Sequence, residues 1–171
     1  MAAPRKPLGF DPIDEARRQW RAHGWEAAAP GMAAVTSVMR AHQIYLARVD
    51  SALRPFGLTF ARYELLMLLS LSRTGALPLS GVGARLQVHP ASVTNAVDRL
   101  EAQKLITRLP HPSDRRTTLA KILPEGRRVV ELATAALNDQ VFTEPGFTDD
   151  EADRLFSLIR TLRLGQGDFD G

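Results

Sequence analysis

Short polar side chains lie along one predicted helix at the spacing that a DNA-reading helix needs. Ser92, Thr94 and Asn95 come early in the segment SVTNAVDRLEAQKLITR, which runs from 92 to 108. An asparagine amide can pair with two groups on the edge of adenine, and small residues let a helix approach the bases closely. These residue types predict base recognition in the major groove. An ordinary amphipathic surface helix is the alternative.

Apolar residues in the same segment recur at the helical period. They follow the steps i, i+3, i+4 and i+7, at Val93, Ala96, Val97 and Leu100. One stripe therefore faces a core, and the polar side chains fall on the other faces. Pro90 suits the first turn of such a helix, where its missing N–H is not needed.

A second charged cluster follows, between two runs of β-compatible residues. The runs are 105–109 and 117–123, and the residues between them, PHPSDRR, are rich in turn formers. Arg115 and Arg116 at the tip of such a hairpin suit phosphate or minor-groove contact, where the negative potential is strong. Asp114 would repel phosphate if left free, so we expect it to orient Arg116 by a charge-assisted hydrogen bond. The alternative is a solvated loop with incidental charges.

A helix followed by a charged hairpin is the layout of a winged helix-turn-helix, and the chain resembles the MarR family of bacterial transcriptional regulators. The resemblance lies between residues 92 and 126, in the motifs Ser-Val-Thr-x-x-Val-Asp-Arg-Leu-Glu, Leu-Ile-x-Arg, Asp-x-Arg and Leu-x-x-x-Leu-Pro-Glu-Gly. Weaker similarity in the order and spacing of helices covers residues 32 to 164.

The resemblance implies a fold, a partner and a set of DNA-binding residues. The fold is mainly α with a small β-hairpin wing, and N- and C-terminal helices join two copies into a homodimer. The partner is a palindromic operator in double-stranded DNA. The recognition-helix residues are Pro90, Ala91, Ser92, Thr94, Asn95 and Arg99. The wing residues are Arg115 and Arg116, with Asp114 in support.

The N-terminal part of the sequence predicts two helices that precede the winged helix-turn-helix. Residues 1–10 look like an arm, Asp11 and Pro12 start a short helix, and Gly24 and then Pro30-Gly31 break it. From Met32 to Leu53, apolar or large residues recur in alternating steps of three and four, at 32, 35, 39, 42, 46, 49 and 53. This is the seam of a heptad pattern, and we expect it to form half of a dimer core.

Capping and turn residues predict the remaining boundaries. Gly57 closes the long helix, and Thr59 caps a buried helix over 60–71. Residues 77–79 form an edge strand, and Ser80 caps a helix that ends at Leu86. Pro124 opens a helix to about Val141, and Thr148 forms a capping box with Glu151 at the start of the last helix. The chain is therefore divided into an N-terminal extension with a short helix (1–30), dimerisation helices (31–57 and 124–165) and a winged helix-turn-helix DNA-binding domain (58–123).

Composition fits a small regulator. The net charge is only +3, but residues 76–127 carry eight Lys and Arg against four Asp and Glu, or +4, which is more than the whole chain. Zero cysteines exclude disulfides and thiolate metal sites. No apolar run approaches 18 residues and no leader is present, so we expect no membrane association and a cytoplasmic location.

Motifs for enzymatic chemistry are missing from the sequence. The four histidines lack metal-binding spacing, and no GxGxxG, P-loop or GxSxG sequence occurs. We therefore expect no enzyme, no catalytic residues, no metal and no cofactor. The alternative to a DNA-binding regulator is a winged-helix module that binds proteins and has no specific DNA binding.

An effector is the last expectation, and it follows from the resemblance. MarR-like dimers bind small aromatic or phenolic acids between the dimerisation helices and the DNA-binding domain, which shifts the affinity for the operator. The residues here that could line such a pocket are Trp20, Met39, Arg40, His42 and Tyr45. The alternatives are that Trp20 staples the N-terminal helix and that His42 is an interface histidine. We expect a repressor rather than an activator, released by such a ligand.

Overall fold

The computed structural model describes residues 7–114 and 116–170 of the 171. The chain divides into two units, 1–48 and 49–171, which are taken in turn. Arg115, one of the two expected wing arginines, lies outside the described residues, as does the start of the N-terminal extension.

The first unit contains helix α1 (Pro12–Ala22) and most of helix α2 (Ala29–Leu53). Asp11 caps α1 as predicted, because its carboxylate accepts a hydrogen bond from the Ile13 N–H at 2.9 Å. Beyond the helix, Trp25 packs edge-on against Trp20 with ring centroids 5.2 Å apart. The alternative for Trp20, a packing role in the N-terminal segment, is consistent with this pair.

Helix α2 begins three residues before the predicted seam. Pro30 and Gly31, expected to act as breaks, lie instead in its first turn, so that prediction was wrong. Proline is tolerated there because the first amides of a helix have no intrahelical acceptor. Val35 and Met39 of the predicted seam are exposed in the single chain.

The second unit begins with the end of α2, where Leu53 is fully buried. A short 3-10 turn (Arg54–Phe56) follows, and Gly57 adopts the left-handed conformation at φ +65° that a glycine allows without strain. Helix α3 then spans Phe60–Leu71, the predicted range. Leu65, Leu66 and Leu69 make it a buried core helix.

A three-stranded antiparallel sheet contains the hairpin. Its strands are β1 (Ala76–Pro78), β2 (Ile106–Pro110) and β3 (Thr118–Ile122), in the order β1–β3–β2. Ile106 pairs with Ile122 and Pro110 with Thr118 across the hairpin. The two predicted hairpin runs and the predicted edge strand are therefore present, with ends shifted by about one residue.

Helix α4 (Leu79–Leu86) follows β1 without a loop. Ser80 was predicted to cap this helix, and the prediction was wrong, because Ser80 is its second residue and Pro78 occupies the cap position. The predicted end at Leu86 is correct, and Gln87 follows in the left-handed conformation at φ +53°.

The other helices are α5 (Pro90–Ala102), α6 (Pro124–Leu137) and α7 (Asp149–Gly165). A π-helical turn, Asn138–Phe142, continues α6 to within one residue of the predicted end near Val141. The predicted capping box is confirmed at the start of α7. The Thr148 N–H donates to a Glu151 carboxylate oxygen at 2.9 Å, and the Glu151 N–H donates to the Thr148 hydroxyl at 3.4 Å.

The core of the second unit lies between the helices and the sheet. The fully buried side chains with the largest volumes are Leu53, Leu65, Leu66, Leu69, Val82, Val97, Leu100, Ile106 and Leu137. Gly126 lets α6 approach the sheet closely, because a Cβ atom at this position would lie 2.1 Å from the Leu105 carbonyl oxygen. Only glycine fits there, which explains this position of the Leu-Pro-Glu-Gly motif.

Candidate nucleic-acid interface

Helix α5 presents a polar face because its apolar stripe is buried. Val93, Val97 and Leu100 pack into the core, as their spacing predicted. The ring nitrogen Nδ1 of His89 accepts a hydrogen bond from the Ala91 N–H at 3.2 Å and caps the helix. Pro90 opens α5, and the exposed residues Ala91, Ser92, Thr94, Asn95 and Arg99 follow.

The polar residues of α5 line two different grooves. One, of about 500 Å³, lies between α5 and the start of α3 and is lined by Thr59, Ala61, Arg62, Ser92, Asn95, Ala96 and Arg99. The other, of about 530 Å³, lies between α5 and α4, and its lining includes Ser80, Gln87 and Thr94. The structure therefore brings Ser92, Asn95 and Arg99 together and puts Thr94 on the opposite flank of the helix.

Arg62 belongs to the first groove and was not found from the sequence. Thr59 sits at the cap position of α3 as predicted, but its hydroxyl makes no capping bond to the helix backbone. It accepts instead from Nε of Arg62 at 3.2 Å. An arginine in the first turn of a helix rich in leucine was the available signal, because the packing of such a helix does not need a cation.

Arg108 of β2 is paired with both acidic residues of α5. Its guanidinium forms ion pairs with Asp98 and Glu101. Its backbone N–H donates to the Glu101 carboxylate at 2.9 Å. The hydrogen bond to Asp98, together with that to Glu101, raises the pKa of Arg108 above its ordinary value. These contacts join the wing to α5, and the single positive charge of Arg108 offsets part of the negative charge of the helix that carries Asn95.

The tip of the wing is shaped by Asp114. Its carboxylate accepts from the Thr117 hydroxyl at 2.6 Å and from the backbone N–H of Arg116 at 3.0 Å. These bonds, first the one from Thr117, lower the pKa of Asp114. A bond with the guanidinium of Arg116 was expected, and the bond formed is with its backbone N–H. The Arg116 residue itself is exposed.

The five residues expected to line an effector pocket all fall in the first unit. Met39, Arg40 and His42 are exposed on α2, and Arg40 donates to the Gln43 side chain at 3.1 Å. Trp20 and Tyr45 are half-buried. Within a single chain, the exposed members do not enclose a ligand, so a pocket built on them needs walls from elsewhere.

Comparison with known proteins assigns the family. The sequence model of the MarR family matches residues 60–118, which span α3 to the start of β3. The solved structure of Sco5413, a MarR family transcriptional regulator from Streptomyces coelicolor, is 49% identical with a TM-score of 0.75. The alignment covers 83% of this chain and 99% of that one. The chain belongs to the MarR family of transcriptional regulators.

Two further proteins resemble this MarR family chain. MdtR, an HTH-type transcriptional repressor of Bacillus subtilis, is 38% identical over 63 residues, which are 37% of this chain and 41% of MdtR. The matched region spans about half the length of the curated relatives. BpsR of Bordetella bronchiseptica, whose DNA binding is regulated by 6-hydroxynicotinic acid, is 26% identical with a TM-score of 0.67, over 74% of this chain and 90% of BpsR.

Neither a metal-binding cluster nor a membrane-spanning helix is found in the described part of this family member. Within residues 7–114 and 116–170, no group of three or more histidine, aspartate and glutamate side chains is arranged to hold a metal ion. Over the same ranges, no helix combines the length and the apolar character needed to cross a bilayer.

Proposed function

We propose that this chain acts as a homodimeric repressor that binds a palindromic operator in double-stranded DNA. The observation that carries the proposal is the exposed polar face of α5, with its acidic residues paired to Arg108, beside an exposed wing arginine. Family membership supports a role in transcriptional regulation. The similarity to MdtR, a transcriptional repressor, supports repression rather than activation. We propose the cytoplasm as its location.

The proposed DNA contacts divide between bases and backbone. Asn95 and Ser92 meet base edges in the major groove, because an amide and a hydroxyl can each donate and accept there. Arg116 binds phosphate or enters the minor groove, where a guanidinium meets strong negative potential. Arg115 is assigned the same role from the sequence alone.

Dimerisation is proposed because one recognition helix buries too little surface for a selective complex. A two-fold pair of such helices about 34 Å apart reads two half-sites. Support comes from α7, in which none of the residues is buried and Leu158 is 70% exposed. We therefore assign ranges 31–57 and 124–165 to dimerisation and range 58–123 to DNA binding.

We further propose that a small aromatic or phenolic ligand releases the operator. The regulation of BpsR by 6-hydroxynicotinic acid supports this class of ligand. Trp20, Met39, Arg40, His42 and Tyr45 are the candidate lining, completed by the dimer. By linkage, a ligand that binds the released form better weakens DNA binding by the same factor by which DNA weakens ligand binding.

The decisive experiment is a titration of duplex DNA from the region upstream of the chain's own gene, repeated across salt concentrations beside an unrelated duplex. A preference of about three decades or more for its own DNA, with a steep salt dependence, is expected. Weak and equal binding to both duplexes would contradict specific recognition at that site. No binding even at low salt would favour the protein-interaction module.

A matched pair of variants tests the wing. Arg116→Ala is expected to weaken DNA binding and to reduce the slope of log affinity against log salt by about 0.9. Arg18→Ala is the control, because Arg18 lies on α1, outside the ranges assigned to dimerisation and DNA binding, and is paired with Glu15. Unchanged affinity and slope in Arg116→Ala would remove the wing from the interface.

A further inference from the structure

The groove between α3 and α5 has the chemistry of a phosphate site. Two arginines, Arg62 and Arg99, line it from different helices, together with the side chains of Thr59, Ser92 and Asn95. None of its lining residues is acidic. Cations without a lining carboxylate favour an anionic ligand.

Arg62 is held in place for such a ligand. Its Nε donates to the Thr59 hydroxyl, and the residue is half-buried, so the aliphatic part of the side chain is supported while the charged end reaches the groove. Among the described residues, no acceptor is bonded to its two terminal nitrogens. These are the atoms with which a guanidinium grips two oxygens of one phosphate.

The acidic residues of α5 are paired with Arg108 and not with the arginines of the groove, so the groove keeps a positive potential. Asp98 directly precedes Arg99 on α5, yet its carboxylate is taken up by Arg108. Arg108 also holds Glu101. No carboxylate among the described residues is paired with Arg99, and the same holds for Arg62. The two arginines therefore remain available for a ligand.

We propose that Arg62 is a further DNA-binding residue, which together with Arg99 grips a backbone phosphate in the groove and positions α5 on the duplex. The inference rests on the proposed DNA-binding function and adds a contact from α3, outside the recognition helix and the wing. A phosphate contact carries no base information. Arg62 therefore contributes affinity and register to any duplex, and base preference stays with Asn95 and its neighbours.

Arg62→Ala tests this proposal in the full-length protein. We expect about tenfold weaker binding to the upstream duplex and a salt slope lower by about 0.9, as for one lost charge-assisted phosphate contact. The preference for this duplex over an unrelated one is expected to stay unchanged. Arg62→Lys keeps the charge and is expected to retain the slope. Arg18→Ala again serves as the control, and circular dichroism verifies that each variant is folded.

Three results would overturn the proposal. The first is wild-type affinity and slope in Arg62→Ala while the unaltered protein binds its DNA. The second is a loss of sequence preference at constant slope, which would make Arg62 a base-reading residue. The third is thermal stabilisation of the unaltered protein by inorganic phosphate that Arg62→Ala abolishes without a change in DNA binding, which would assign the groove to a free anion. Failure of the unaltered protein to bind any duplex would instead refute the proposed function.

Discussion

Helices α5 and α7 have the same pattern of apolar residues, but the apolar stripe of α5 is buried and that of α7 is exposed. Each has a capped start and apolar residues three and four apart. In α5 the stripe of Val93, Val97 and Leu100 is buried. In α7 the corresponding stripe includes Leu158 and Leu162, which are 70% and 55% exposed.

The difference teaches that periodicity predicts an apolar face but not what covers it. The single chain supplies a cover for α5 from α3, α4 and the sheet. For α7 it leaves large apolar side chains in water, at a cost of about 25 cal/mol for each Å² of apolar surface. A helix of this kind is a candidate interface, and we therefore treat α7 as one half of a contact between two copies.

The largest expected effect comes from the buried side of this comparison. Leu100→Ala removes a fully buried side chain and leaves a cavity, so it should lower the free energy of unfolding by about 2–5 kcal/mol. Urea denaturation measures the change. Leu164→Ala on α7 is the control, and we expect a loss below about 1 kcal/mol from it at concentrations at which the chain is monomeric. Equal losses in the two variants would abolish the distinction between the helices.

The next effect concerns assembly. Leu158→Glu should leave the helical content unchanged and raise the dimer dissociation constant by at least about tenfold, because a carboxylate would be desolvated in an apolar interface. Sedimentation at micromolar concentration measures the mass. Ser157→Glu, the neighbouring exposed residue, adds the same charge and should leave the mass at that of a dimer. A monomeric unaltered protein would refute the assignment of α7.

A smaller effect is expected from the cap of α7. Thr148→Ala removes the hydroxyl that accepts from the Glu151 N–H and keeps the backbone N–H that donates to the Glu151 carboxylate. We expect a loss of about 1 kcal/mol in the stability of the first turn. Hydrogen exchange of the α7 amides measures it. His89→Ala provides the comparison for α5, where tertiary packing should hold the first turn and limit the change in exchange. Faster exchange in α5 than in α7 would reverse the comparison.

The smallest effect depends on pH. Partial burial of Glu64 on α3 raises the pKa of its carboxyl above the ordinary value of 4.5. The folded chain therefore binds this proton more tightly than the unfolded chain, and its stability falls as pH rises from 4.5 through the raised pKa. Glu64→Gln should be more stable than the unaltered protein at pH 7, and the difference should vanish below pH 4.5. Denaturation of both proteins across this range measures it, and a difference that grows at low pH would contradict the sign.

Local chemistry made much of the fold predictable. The bounds of α3, the position of Pro90, the capping box at Thr148 and the two strands of the hairpin all depend on residues within a few positions of one another. The errors have the same origin. Ser80 and Pro30 are residue types that suit more than one place in the first turn of a helix, and the type alone does not select among them.

The site was predictable only in part. Ser92, Thr94 and Asn95 were expected to share a face, but Thr94 lines a different groove. Ser92 and Asn95 line one groove together with Arg99. Arg62 escaped notice because it lies thirty or more residues before them and belongs to no motif. The bond that the Arg116 backbone N–H donates to Asp114 was also missed. A turn offers several donors close to one carboxylate, and only the geometry of the folded turn selects one.

The sequence by itself determined where the helices and strands lie, which faces of them are apolar, and that the positive charge is concentrated around the reader. These properties follow from spacing along the chain and from composition. Only the tertiary structure decided which charges cancel, with Arg108 taking Asp98 and Glu101 while Arg62 and Arg99 converge on one groove. The reason is that an ion pair depends on distance in space, and folding brings together side chains whose separation along the chain predicts nothing about their contact.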